Sequence, residues 1–360
     1  MNRPPRLFVR GIAGALIAGS IVIAAPTLHA NEPALAGDVS EGDAAAPGPH
    51  SKVIATGLER AAQFTIIGAH AYWLEGGSIK RVPTRGGTPT TLFTNPEPLN
   101  AGFTTDGTSL YLVYLTGKRP FVPTACHVAK IALDGTHLRD LTSGTGCYLA
   151  GMSLLAAFDG TVYIHGQIGA LSQHTGILAV TSTGTVTQLA IDPNVKIDAL
   201  YGADARGVYF GEIVDDGSVI SLAPRGGGAP RALFKGRMAS GDGARSGAAL
   251  YIANLGNDGE EISRIDLAKA DGGRKVLASF PRWIVSDFAA DAAGLFVSRK
   301  AFDAPNGTHA SPIGIYAVST TTGAKTLVES DTLVRDHTLA LDASHVYWID
   351  TDGTLHAKAR

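Results

Sequence analysis

Val346-Tyr347-Trp348-Ile349-Asp350 is a short apolar run of strand character, and it returns in altered form six times upstream. The earlier versions are AYWLE around Tyr72, LYLVY around Tyr111, VYIHG around Tyr163, VYFGE around Tyr209, LYIAN around Tyr251 and LFVSR around Phe296. They recur at roughly 40 to 50 residues, with room for several short strands in each interval, which is the period of a β-propeller built from one blade per repeat. The expected fold is therefore all-β: a seven-bladed β-propeller, with six or eight blades as alternatives.

One interval shows the unit. Residues 283–290 read as an inner strand, 291–294 as a turn, 295–299 as the second strand, 313–319 as the third and 325–329 as the fourth. The four are joined as a meander. Inner strands such as SLLAAFD and TLALD are almost continuously apolar or small. A strand covered on both faces reads this way, and in a propeller each blade is covered by its two neighbours. Asp106, Asp159, Asp204, Asp291 and Asp342 each stand four or five residues before the recurring aromatic. Their side chains suit the turn, because an Asp carboxylate accepts backbone N–H groups two residues on.

The ends complete each other. The last repeat has only one strand after Tyr347 and so lacks its outermost strand, while residues 53–56 (VIAT) form a strand with no repeat of its own. Placing that strand on the last blade closes the ring and removes an exposed sheet edge.

VYWID and AYWLE resemble the YWTD repeat, and units such as residues 71–93 resemble secreted bacterial propellers related to the YWTD and NHL types. The likeness runs over nearly all of residues 51–360. It implies the fold and carries no activity with it. The full Tyr-Trp pair stands only at Tyr72-Trp73 and Tyr347-Trp348, and the YWTD repeat implies six blades rather than seven.

Residues 1–30 read as a signal peptide: Arg3, Arg6 and Arg10 precede an apolar stretch from Gly11 to Ala25, and Thr27-Leu28-His29-Ala30 ends on a small residue. The apolar stretch is shorter than the roughly 20 residues that span a bilayer, so no stable membrane span is expected after cleavage. Residues 31–50 read as a flexible linker and 51–360 as the propeller domain. The expected location is secreted or periplasmic. In that compartment Cys126 and Cys147, the only cysteines, are expected to pair as a disulfide. Losing the leader moves the formal charge from −2 to −5. This mild acidity gives no footprint for nucleic acid.

Catalytic strings are absent: there is no G-x-S-x-G elbow, H-E-x-x-H pair or phosphate loop. The histidines form no metal-spaced cluster, and neither metal nor cofactor is implied. Residues 257–261 (NDGEE) read as a polar turn. Aligning the inner strands on their turn Asp puts Asn100, Ser153, Asp198, Ser240 and Asp336 at one level. Polar residues in apolar strands need partners, which places this level at the open channel mouth, where water or a small polar ligand would sit.

The longest loops join second to third strands at 116–125, 166–175 and 300–311, and in a meander they share a face with the links between blades. Lys118, Arg119, His174, Arg282, Trp283, Asp287, Lys300 and His337 gather near that face and are the candidate ligand-binding residues. The expected role is a ligand-binding or protein-interaction module, its partner a protein or small polar ligand. The alternative is a secreted hydrolase or lyase using His337, Asp336 and His174 as acid–base groups at the channel mouth.

Overall fold

The computed structural model describes residues 51–58, 60–95, 101–116, 125–144, 148–149, 155–167, 176–189, 196–215, 217–256, 259–269, 272–281, 283–301 and 313–360. Among these residues there is no helix, and the strands form seven antiparallel sheets. In chain order the blades are 61–94, 101–144, 148–188, 196–236, 238–281, 283–330 and 334–359. Five follow the four-strand meander. In blade 3 the inner position is divided between Tyr148–Leu149 and Leu155–Phe158, both paired with Thr161–Gln167.

Blade 7 takes its fourth strand from the other end of the domain. Lys52–Ala55 pairs antiparallel with Leu355–Ala359, Lys52 opposite Ala357 and Val53 opposite His356. The seam is fastened on both sides. Leu58 donates its amide to the Gly353 carbonyl at 2.8 Å, and the Lys52 amine donates to the Arg85 carbonyl in blade 1 at 3.0 Å. Ile54 and Leu58 are buried in the core between blades 7 and 1.

The recurring run is apolar on both faces because its residues alternate between two cores. Val346 and Trp348 enter the core between blades 6 and 7, whereas Tyr347 and Ile349 enter the core between blades 7 and 1. Among the described residues each blade-to-blade interface holds one such apolar cluster. The hydrophobic core is thus a circle of separate cores, which lets one domain outgrow the usual size of a single core.

The spacing between turn Asp and aromatic is a hydrogen bond. Asp106, Asp204 and Asp342 accept the hydroxyls of Tyr111, Tyr209 and Tyr347, each five residues on, at 2.9, 2.9 and 2.6 Å. The same carboxylates accept backbone amides of their own turns. In blade 3 the spacing is four, and the Tyr163 hydroxyl is buried without a partner. Blade 1 has Gly68-Ala69 in place of the Asp, and Tyr72 instead donates to the Leu133 carbonyl of blade 2 at 3.1 Å.

Burial raises the Asp106 and Asp342 carboxyls, but the hydrogen bonds they accept, from Thr108 and Tyr111 and from Tyr347 and Ser344, outweigh it. Both stand at about 2, against an ordinary 3.8. A folded-state value below the unfolded one means that the unfolded chain binds more protons in that window. The stabilisation is complete above about pH 4 and drains as the pH falls towards 2. The Asp106→Asn, Asp342→Asn double variant is expected to be less stable at neutral pH. Its urea midpoint should also fall less steeply than wild type between about pH 4 and 2. Parallel curves for the two proteins would refute this account.

Candidate functional site

The seven inner strands converge on an axial channel, and all seven blades contribute to one cavity of about 320 Å³. Its polar lining is Gln63 and Thr65 from blade 1, Thr104 and Thr105 from blade 2, Tyr201 from blade 4, Asp287 from blade 6 and His337 from blade 7. Phe64, Phe103, Leu155, Leu200, Phe288 and Leu339 supply the apolar part. The described lining holds no lysine or arginine.

Five of the inner strands depart from regular pairing beside the channel, that of blade 5 between Met238 and Gly243. The register shifts between Ala62 and Phe64, between Ile197 and Ala199 and again between Leu200 and Gly202, between Val285 and Asp287, and between Val334 and Leu339. A bulge inserts an unpaired residue and re-aims the side chains around it. Here the irregularities turn Gln63, Tyr201 and His337, in strands that otherwise serve the blade interfaces, to the axis.

Gln63 and His337 lie on neighbouring strands and both have left-handed backbones, with φ of 45° and 60°. For non-glycine residues this costs of order 1–3 kcal/mol each and persists only where the surroundings impose it. The restraint on His337 comes from blade 6. Asp287 is buried; its Oδ1 accepts the Phe288 amide at 2.8 Å, and its Oδ2 accepts the amides of Thr338 and Leu339 at 2.7 and 2.8 Å. The Thr338 hydroxyl donates to the Arg335 carbonyl at 2.6 Å and closes the loop from within. Gln63 has the matching role between blades 1 and 2, its Oε1 accepting the Phe103 amide at 2.8 Å.

Two further carboxylates lie near this end. Asp198 is half-buried, its Oδ1 packs against Gly211 without a hydrogen-bond partner, and burial raises its carboxyl. A side chain at Gly211 would collide with that oxygen and approach the Tyr201 hydroxyl, so the close approach requires glycine. Glu260 corrects the reading of 257–261 as a polar turn. It belongs to the strand Gly259–Asp266, is buried, and accepts the Val285 amide of blade 6 at 2.6 Å. Burial raises its carboxyl as well.

The expected site residues distribute unevenly. Asp287 and His337 both line the channel, although the Asp287 carboxylate is engaged by three backbone amides. Asp336 is exposed beside His337. Trp283, Lys300 and Ser240 occupy strands, with Trp283 opposite Ala301 and Lys300 opposite Ile284. Lys118, Arg119, His174, Arg282, Asn100, Ser153 and Cys147 lie outside the described residues. Cys126 is buried in the strand Ala125–Ala132 and is not a free thiol. No group of three or more metal-ligating side chains occurs among the described residues.

Sequence alignment on the turn Asp missed Gln63, Thr65, Thr104 and Tyr201. Blade 1 has no turn Asp to align, Thr104 stands in a regularly paired strand away from the aligned level, and Tyr201 reads as an alternating core position until a bulge shifts the alternation. The available signal was a polar residue or glycine interrupting an inner strand, as at Gln63 and Gly202.

No family model matches the chain, and no curated protein matches it. Similar solved structures include a puromycin-hydrolyzing peptidase of Mycobacterium tuberculosis, with a TM-score of 0.58, 13% identity, 81% of this chain covered and 50% of that one. Virginiamycin B lyase from Staphylococcus aureus, solved with quinupristin, gives a TM-score of 0.55 and 10% identity over 86% of this chain and 98% of that one. The Pyrococcus horikoshii acylaminoacyl peptidase gives 0.51 and 10% over 80% and 50%. The chain spans about half the length of the two peptidases. At these identities the likeness establishes the propeller fold, and the activities in those names belong to those proteins.

Proposed function

We propose that this protein is an exported β-propeller that binds a small polar ligand in the axial channel, entering from the loop-rich face. The observation that carries the reading is the backbone at His337. A left-handed, non-glycine residue is fixed at the channel wall by a buried carboxylate from the next blade. Strain of this kind gathers at ligand-holding sites. The cavity is at the small end of the usual range for ligand pockets and combines apolar walls with a few convergent polar groups.

Residues 1–30 act as the export signal in this reading, delivering the domain to a secreted or periplasmic location. That compartment suits a bridge between Cys126 and Cys147, which would close a loop near the mouth and hold Lys118 and Arg119 at its rim.

A thermal-shift screen of small sugars, amino acids and amines tests the proposal. A ligand at 100 times its Kd is expected to stabilise the fold by about 2.7 kcal/mol. The shift should be largely lost in His337→Ala and Gln63→Ala. Hits that keep their full shift in both variants would move the site away from the channel.

A further inference from the structure

On the face opposite the loop-rich mouth, each of the first six blades turns twice, once between its first and second strands and once between its third and fourth, and blade 7 turns once. The two turns meet: the Arg225 amide donates to the Arg206 carbonyl, and the Leu267 amide to the Ala248 carbonyl. In six blades an exposed cation marks the outer turn or the first residue of the outermost strand. These are Lys52, Arg85, Arg139, Arg231, Lys275 and Lys325. Asp106, Asp204, Asp291 and Asp342 lie further in, half-buried in the inner turns and holding the amides there, and the exposed Asp159 of another inner turn pairs with Arg225. Among the described residues the exposed carboxylates of the outer turns and outermost strands are Asp134 and Asp140, both in blade 2. Cations therefore outnumber carboxylates on the described outer rim of the face, in a chain whose overall charge is negative.

Beside four of these cations is an exposed aliphatic residue. Val53 follows Lys52, Leu138 precedes Arg139, Val276 follows Lys275, and Leu327 stands two residues after Lys325, with exposures of 52, 50, 44 and 38%. Protection of an outer strand accounts for a charge at its edge. It does not account for an aliphatic side chain left in water next to that charge in four different blades.

We propose that this face docks flat on a bilayer containing anionic phospholipid, with the cations at the phosphates and the aliphatic side chains at the headgroup boundary. A ring of cations around a flat rim matches a charged plane. The aliphatic neighbours favour a bilayer over a soluble polyanion, which would engage the cations and gain nothing from the valines and leucines. A few such cations give weak, reversible, salt-sensitive attachment. Docked this way, the loop-rich mouth points into the aqueous compartment.

Vesicle flotation of the chain from Asn31 onward, which includes the compact unit Ala45–Arg360, tests this. The expected result is binding to phosphatidylcholine vesicles that contain phosphatidylglycerol, none to phosphatidylcholine alone, and release in about 0.5 M salt. Arg139→Glu with Arg231→Glu should weaken binding by about tenfold or more. Leu138→Ser with Val276→Ser should weaken it with the melting temperature monitored, and His337→Ala should bind as wild type. Absence of binding to anionic vesicles at low salt, or unchanged binding by the charge-reversed variant, would overturn the proposal. Capture by soluble polyphosphate without vesicle binding would reassign the face to a polymer.

Discussion

Deletion of residues 51–57 is expected to convert the closed ring into aggregate or a partly unfolded ring. This segment supplies the outermost strand of blade 7 and buries Ile54 against the core shared with blade 1. Without it, Leu355–Ala359 becomes a bare edge facing solvent, and unpaired edges recruit other chains. The Lys52 bond to Arg85 disappears as well, leaving the seam between blades 7 and 1 to the core contacts of the remaining strands. Size-exclusion chromatography and circular dichroism measure the outcome. Ile54→Ala is the graded version, with an expected loss of about 2–4 kcal/mol in denaturant unfolding. A deletion variant that elutes at the wild-type size and melts with wild-type cooperativity would mean that the strand is not the closure of the ring.

Asp287→Asn should be the most damaging single polar change at the channel. The carboxylate offers only acceptors, and both oxygens are used by backbone N–H groups. An asparagine places an NH2 where one oxygen stood and sets donor against donor in a buried site. The expected cost is about 2–4 kcal/mol in urea unfolding. The more informative effect is local: blade 7 loses the restraint on residues 337–339, so the His337 ring resonances should broaden or shift in NMR spectra. Channel ligands should then lose their stabilising effect even at temperatures where the variant is folded. A variant that loses stability while retaining both the wild-type His337 signals and ligand-induced stabilisation would make Asp287 a strap between blades and nothing more.

Much of the architecture was legible before any coordinates because it follows from local rules that repeat. The run at 346–350 has to be apolar at successive positions, since each position serves a different core. Asp342 and Tyr347 have to be five apart, since that spacing brings hydroxyl to carboxylate across one hairpin. The candidate site was legible only in part. His337 and Asp287 were found by their nearness in the chain to the mouth, whereas Gln63, Thr65, Thr104 and Tyr201 were not found. Glu260, read as part of a surface turn, proved to be a buried clamp between blades 5 and 6.

The sequence by itself determined the propeller repeat, the strand order within a blade and the joining of the two ends, because periodicity and turn chemistry act over a few residues at a time, and the structure fixed the count at seven. Only the tertiary structure decided which polar side chains face the axis and which hold neighbouring blades together. A bulge reverses the direction of the side chains that follow it, and each clamp spans strands some 25 to 50 residues apart. That choice depends on where the ring brings one blade against the next.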